Sequence, residues 1–304
     1  MQAPDDFNPM PGRDDELQPG LRRILAPNPS PMTYRGTNTY LLGQTDLAVI
    51  DPGPANADHL DAILNAVKPG QRISHIIVTH SHLDHSPLAA PLAERTQAKI
   101  IAFGGPEAGR SEVMAELATQ GLAGGGEGID TAFRPHIEVE DGDVIAAEGW
   151  QLNVIHTPGH LGNHIALGWG DVCFTADHVM GWASSLVSPP DGDLTDFMAA
   201  CEKLGQHNWS VFHAGHGAPI NDPAKRLDWL ITHRRAREKQ ILSALETRPG
   251  TARELAERIY TETPAALLPA AERNVFAHLV DLTCRFLVAP QSKLSVGAIF
   301  ARTP

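Results

Sequence analysis

Short apolar runs alternate along this chain with longer stretches whose apolar residues recur every three or four positions. The first pattern reads as buried strand and the second as amphipathic helix. Runs at 21–25, 39–42, 47–50, 73–78 and 99–103 predict strands, with helices between them at 57–67 and 87–95. In the first of these helices Leu60, Ile63, Leu64 and Val67 share a face, and Lys68-Pro69-Gly70 stops it. Alternation of this kind predicts an α/β architecture. A helix at 112–117, strands at 137–144 and 150–155, an apolar stretch at 163–167 and a strand at 172–174 follow. A helix at 193–204 then leads to the short run 211–212.

The pattern changes at both ends. Residues 1–20 are rich in Pro, Asp and Gly and predict an extended arm without a core. Residues 223 to about 245 predict one long helix with two apolar groups, Leu227, Leu230 and Ile231, then Ile241, Leu242 and Leu245. The charged stretch 234–239 between them predicts a connector, with each end on a different core and the middle in solvent. Thr251-Ala252-Arg253-Glu254 is a capping-box pattern. A second helix carrying Val275, Phe276, Leu279 and Val280 follows, and segments 286–289 and 295–300 pair as a hairpin. Two helices and a hairpin describe a small winged-helix-like unit. The expected division is an arm at 1–20, a main domain at 21–222, and the connector with its terminal unit at 223–304.

Length and composition narrow the class. A chain of 304 residues with 42% hydrophobic content can bury a full core. Its net charge of −12 opposes unassisted binding to nucleic acid or anionic membrane. The charge is uneven: residues 231–304 hold 11 Lys/Arg against 7 Asp/Glu, leaving 13 against 29 in residues 1–230. Because the basic excess in the tail is small, groove reading by the terminal unit ranks below a packing or substrate-rim role. Cys173, Cys201 and Cys284 have no CxxC spacing and predict free, buried thiols. No signal pattern and no run of roughly 18 apolar residues occurs, so the expectation is a soluble, cytoplasmic protein without a membrane role.

The chemistry is concentrated at Thr79-His80-Ser81-His82-Leu83-Asp84-His85, directly after the run 73–78. Imidazole and carboxylate together suit a borderline divalent ion. His80 and His82 are spaced to converge on one ion, and Asp84 and His85 to face a neighbouring position. Three more segments carry matching groups after strand-like runs: Thr157-Pro158-Gly159-His160, Thr175-Ala176-Asp177 and Ala214-Gly215-His216-Gly217. Ligands repeatedly placed at strand ends occupy the position where open α/β sheets hold their sites.

These motifs resemble the metallo-β-lactamase superfamily, whose His-x-His-x-Asp-His signature reads here as His80, His82, Asp84 and His85. The resemblance implies a four-layer αββα sandwich, with His80, His82 and His160 around one metal. Asp84, His85 and His216 would surround the second, and Asp177 would bridge the pair. Within the superfamily, Gly36-Thr37-Asn38-Thr39-Tyr40-Leu41-Leu42, Val49-Ile50-Asp51-Pro52-Gly53 and His216-Gly217-Ala218-Pro219-Ile220 are most similar to the β-lactamase-like protein 2 group. In that family the Asp of Asp51-Pro52-Gly53 buttresses the metal loop.

The function implied is a metal-dependent hydrolase. A dinuclear centre of two Zn²⁺, with Mn²⁺ or Fe as alternatives, would use a bridging hydroxide on an ester, thioester or phosphodiester bond. Partners would be a small-molecule substrate or single-stranded RNA, since the group includes RNA-cleaving members. Asp84 and His164 are the candidate catalytic residues, His164 as a substrate-facing proton donor. Two alternatives stand beside this reading, a glyoxalase II-type thioester hydrolase and a mononuclear iron oxidoreductase on the same scaffold. His82 stands where flavin-coupled di-iron relatives have Glu. Asp177 stands where the best-known zinc β-lactamases have Cys. Removal of the chain from about Arg234 is expected to leave metal binding largely intact, because every candidate ligand lies between His80 and His216, while impairing turnover of larger substrates and costing stability through lost packing of Ile241, Leu242 and Leu245.

Overall fold

The computed structural model describes residues 6–122, 124, 128–261, 264 and 268–303. It opens with strands β1 (Asp14–Gln18), β2 (Leu21–Leu25), β3 (Asn38–Leu42) and β4 (Asp46–Ile50). Helix α1 (Ala57–Asn65), strand β5 (Arg72–Ile77), helix α2 (Ala89–Thr96), strand β6 (Lys99–Ala102) and helix α3 (Glu112–Thr119) follow. Strands β7 (Ile137–Glu138), β8 (Val144–Ala147), β9 (Trp150–His156), β10 (Ile165–Trp169) and β11 (Val172–Ala176) come next, then α4 (Leu194–Leu204) and β12 (Val211–Ala214). The chain ends with α5 (Pro223–Thr247), α6 (Ala252–Ile259), α7 (Leu268–Cys284), β13 (Val288–Pro290) and β14 (Phe300–Arg302).

Two sheets carry the main domain, one ordered β1 to β7 and the other β12-β11-β10-β9-β8. In the first, β1 to β4 are antiparallel, while β4, β5, β6 and β7 pair in parallel. Parallel neighbours need crossovers, which α1 and α2 supply. Successive side chains of a strand face opposite sides. Leu41, Val49 and Ile76 therefore pack with Ile63 of α1 and Leu92 of α2. Tyr40, Leu42, Ile50 and Ile77 face the second sheet, where they meet Leu152, Val154, Leu167 and Phe174. The other side of that sheet buries Ala166, Cys173 and Phe212 against Phe197 and Leu204 of α4 and Leu227 and Leu230 of α5. The layers run helix, sheet, sheet, helix, and beyond them α6, α7 and the β13–β14 hairpin form the winged-helix unit.

Several elements differ from the sequence reading. The segment 14–18 adds to the first sheet as edge strand β1, pairing antiparallel with β2, and Phe7 is buried, so the expected arm is partly docked. The expected strand at 137–144 is broken by a turn, where the Glu140 N–H donates to Asp143 Oδ2 at 2.7 Å. The middle of α5 is not wholly solvated, because Arg234 is buried. Of the three thiols, Cys284 is exposed. The glycine-rich stretch 121–128 reads from the sequence as a flexible lid or rim beside the site, and its residues 123 and 125–127 lie outside the described residues. The largest difference concerns the terminal unit's core. Met114 and Leu117 of α3 pack into it beside Ile241 and Leu245 of α5, Leu255 of α6 and Phe276 of α7. The two halves of the chain thus share one apolar cluster.

Candidate metal centre

Strands β4 and β5 lie side by side in parallel, so the residues just beyond their ends, Asp51 and Thr79, are neighbours. Asp51 takes a left-handed backbone (φ 53°), which a short polar side chain tolerates better than most. Its carboxylate accepts hydrogen bonds from the Thr79 N–H and Thr79 Oγ1, each at 2.8 Å, and from His85 Nδ1 at 2.9 Å. Three bonds to one buried carboxylate set the course of the whole loop 79–85. Because Thr79 Oγ1 gives its proton to Asp51, it accepts from His80 Nδ1 at 3.0 Å, which leaves Nε2 of His80 as that ring's free lone pair. His160 Nδ1 donates to Leu186 O at 2.8 Å and His216 Nδ1 to Gly36 O at 3.1 Å, with the same consequence. Fixing one ring nitrogen selects the tautomer that presents the other.

The presented atoms converge in two groups, His80, His82 and His160, and Asp84, His85, Asp177 and His216. In the first, His82 Nδ1 lies 3.1 Å from His80 Nε2 and 3.1 Å from His160 Nε2. In the second, His216 Nε2 is 3.1 Å from Asp84 Oδ2, and His85 Nε2 is 3.3 Å from the same oxygen. Asp177 reaches both groups. Its carboxylate is 3.4 Å from His85, 3.2 Å from His216, 3.7 Å from His160 and 4.0 Å from His80. Gly215 makes room for it, since a Cβ there would strike Asp177 Oδ1 and the His85 ring.

The donor set fits a pair of metal ions. A tetrahedral zinc with bonds of about 2.0–2.1 Å has ligand–ligand edges of roughly 3.3–3.4 Å, close to the spacings found. His85 Nε2, Asp84 Oδ1 and Asp177 Oδ1 are buried without hydrogen bonds, and buried polar atoms are rarely left so. Burial, reinforced by neighbouring rings, lowers the pKa of His80, of His160 and of His82, the last to about 3. For His216, burial is outweighed by Asp177 and Asp84, and its pKa rises to about 10. His85 is raised in the same way by Asp84, Asp177 and Asp51. Against their own burial, both Asp84 and Asp177 are held well below the usual carboxylate range by the His85 and His216 rings. Divalent cations would displace protons from these rings on binding.

A cleft of about 30 Å³ opens over the donors, lined by Met32, Met180, Leu186, Ser188 and Asp191 together with His82, Asp84, His160, Asp177 and His216. His164 is not among them. It is fully buried, its Nδ1 is 2.8 Å from Thr157 Oγ1, and its ring packs 5.0 Å from that of His80. The Ile165 N–H donates to Thr79 O at 2.9 Å, which pins the start of β10 beneath the metal loop. The expected substrate-facing role for His164 is therefore corrected to a buried position behind the donors. His178 and His213 are likewise buried, against Phe197 and between Tyr40 and Phe174.

Other residues had no role assigned from the sequence. Thr37 Oγ1 donates to Asp84 Oδ2 at 3.2 Å, Asn38 donates to the carbonyls of Ala214 and Gly217, and Tyr40 Oη donates to Ala214 O at 2.6 Å. The stretch 36–40 thus ties β3 to the loop carrying His216. Arg234 also escapes a reading by sequence, although it falls on the apolar stripe Leu227, Leu230, Ile241, Leu245 of α5, where a charge signals a buried role.

Comparison with known proteins agrees with this geometry. Residues 32–219 match the family model of the metallo-beta-lactamase superfamily, and residues 251–292 match that of the beta-lactamase associated winged helix domain. A beta-lactamase-like protein 2 homolog of Drosophila melanogaster is 33% identical over 280 residues, covering 88% of each chain. An atrochrysone carboxyl ACP thioesterase of Aspergillus fumigatus is 29% identical over 290 residues, spanning 92% of this chain and 80% of that protein. A metallo-beta-lactamase family protein from Thermus thermophilus superposes with a TM-score of 0.74 at 25% identity, over 95% of this chain and all of that one.

Proposed function

Since the chain belongs to the metallo-beta-lactamase superfamily, we propose that it is a dinuclear zinc hydrolase acting on thioesters with an apolar acyl group. The coarser statement, a metal-dependent hydrolase, is supported by the family, the seven-donor cluster and relatives named as thioesterases. Two bound ions would supply a water acidic enough to attack near neutral pH and positive charge for the attacked oxygen. In this reading His80, His82 and His160 would hold one ion and Asp84, His85 and His216 the other, with Asp177 available to both. Thr37 and Asp51 orient Asp84 and His85 from behind. Met32, Met180 and Leu186 form the apolar side of the cleft, where the carbon next to the attacked carbonyl would lie, and Ser188 and Asp191 form its polar side.

The observation that carries the choice of substrate is the lining of that cleft. Three apolar side chains stand beside the donors, and among the described residues no Lys or Arg lines the cleft. The nearby Arg110 and Arg273 are engaged with the lining residues Asp191 and Ser188. A phosphodiester chain is normally tracked by cationic side chains and stacking aromatics, so a neutral acyl group suits this cleft better than RNA. The test is the zinc-loaded protein against a medium-chain acyl thioester, an aryl ester, an aryl phosphodiester and single-stranded RNA. Thioester turnover should exceed the others; preferred cleavage of either phosphodiester would reject the reading. Tight retention of one iron per chain, with oxygen uptake on thiol substrates, would favour the oxidoreductase instead.

A further inference from the structure

We infer that the C-terminal unit positions the metal-bridging carboxylate, and that Arg234 of α5 is the residue that does so. The inference rests on Asp177 being the bridging ligand. Asp177 follows β11 through Ala176, whose φ of 42° places a residue with a Cβ in the left-handed region. Such a backbone is strained and persists where surrounding contacts hold it. On one side the Gly215 N–H donates to Ala176 O at 2.8 Å. On the other, the buried Ser185 hydroxyl lies 2.5 Å from Asp177 O and 2.8 Å from His178 O, sharing its proton between two successive carbonyls.

Ser185 is held in turn by Arg234. The guanidinium donates from NH2 to Ser185 O and from NH1 to Asn274 Oδ1 of α7 at 3.0 Å, and it lies 5.2 Å from the centre of the Phe197 ring. Arg234 is only 4% exposed, and among the described residues no carboxylate stands within ion-pair distance of it. A buried cation without a counter-charge is unfavourable, so an apolar residue would pack here with less desolvation cost. What the arginine provides that an apolar residue cannot is a rigid fork joining α7 to the Ser185 carbonyl. The result is a continuous path, Asn274 to Arg234 to Ser185 to the Asp177 turn, from the winged-helix unit to the carboxylate between the two donor groups. Arg234 is thus a positioning residue, and the terminal unit supports the metal centre from behind.

The test uses full-length Arg234→Met, Ser185→Ala and Asn274→Ala proteins. Each is melted as the metal-free protein, then titrated with zinc against a chromophoric chelator that resolves two equivalents, and the cobalt(II) absorption spectrum is recorded. Partners behind metal ligands are typically worth about 10–100-fold in affinity, so Arg234→Met and Ser185→Ala should weaken at least one equivalent within that range and shift the cobalt bands. Asn274→Ala should act in the same direction with smaller size. A merely structural arginine would lower the metal-free melting temperature while both zinc affinities stayed within about threefold of wild type; that result overturns the inference. If Arg234→Met does not fold, Ser185→Ala and Asn274→Ala decide the matter, since neither removes a charge. Wild-type protein that binds fewer than two equivalents would overturn the bridging assignment itself, a distinguishable failure.

Discussion

His85 donates from Nδ1 to Asp51 Oδ2 across 2.9 Å, joining the last residue of the metal loop to the strand beside it. The bond sets the ring so that Nε2 faces Asp84 and Asp177. Asp51→Ala should therefore lower zinc affinity or kcat by about 10–100-fold. Asp51→Asn should do less harm, as it keeps an acceptor for one of the three bonds. Competitive zinc titration and steady-state rates on a thioester check both.

Asp177→Asn removes a negative charge facing both donor groups, and His164→Ala removes a ring behind only one of them. The first should reduce bound metal below two equivalents, with an activity loss beyond the roughly 100-fold typical of outer partners. The second should cost stability, about 1–3 kcal/mol for a buried polar ring, with metal content retained. Metal analysis and denaturant unfolding separate the cases. Equal metal loss in the two variants would show that His164 takes part in binding.

Ending the chain before Arg234 was expected to spare the metal centre, since the ligands all precede it. The shared cluster adds a cost from the main domain itself. Met114 and Leu117 would be exposed, and the Ser185 carbonyl would lose its arginine. Each large apolar side chain uncovered costs about 1.5–3 kcal/mol, so the truncated protein should melt well below the full chain and bind zinc more weakly. Scanning calorimetry with and without zinc measures this; an unchanged melt would show that α3 finds other cover.

His278 offers a pH test away from the ligands. It is 1% exposed and neither ring nitrogen has a hydrogen bond. Burial, with Arg234, Arg237, His233 and Arg285 nearby, holds its pKa well below 6.5. The folded protein keeps it neutral while the unfolded chain protonates it near pH 6.5, so stability is lost as pH falls below that value. At pH 5 the loss approaches about 2 kcal/mol. His278→Leu removes both this loss and an unsatisfied buried group. It should raise the melting temperature more at pH 5 than at pH 8; an equal gain at both would mean the ring is protonated in the fold.

Much of this protein follows from local pattern. The strands 21–25 and 73–78, the helix starting near 57, the capping box at Thr251 and the dense motif at 79–85 are each set by a few adjacent residues. Turn chemistry and side-chain periodicity act over that range, so they can be read without a fold. The motifs at His160, Asp177 and His216 were visible as strand ends, and resemblance supplied their grouping. What the sequence could not supply is anything that depends on which surfaces meet. Met114 and Leu117 form an apolar face that suits several cores equally, and only packing chose the terminal one. His164 and His160 look alike on paper, yet the bond from Ile165 to Thr79 buries one beneath the loop and leaves the other at the cleft. Arg234 sits in a charged run that reads as solvent-facing. Its burial, and its reach to Ser185 behind Asp177, arise because α4, α5 and α7 close around it, and closure among distant segments is a tertiary event.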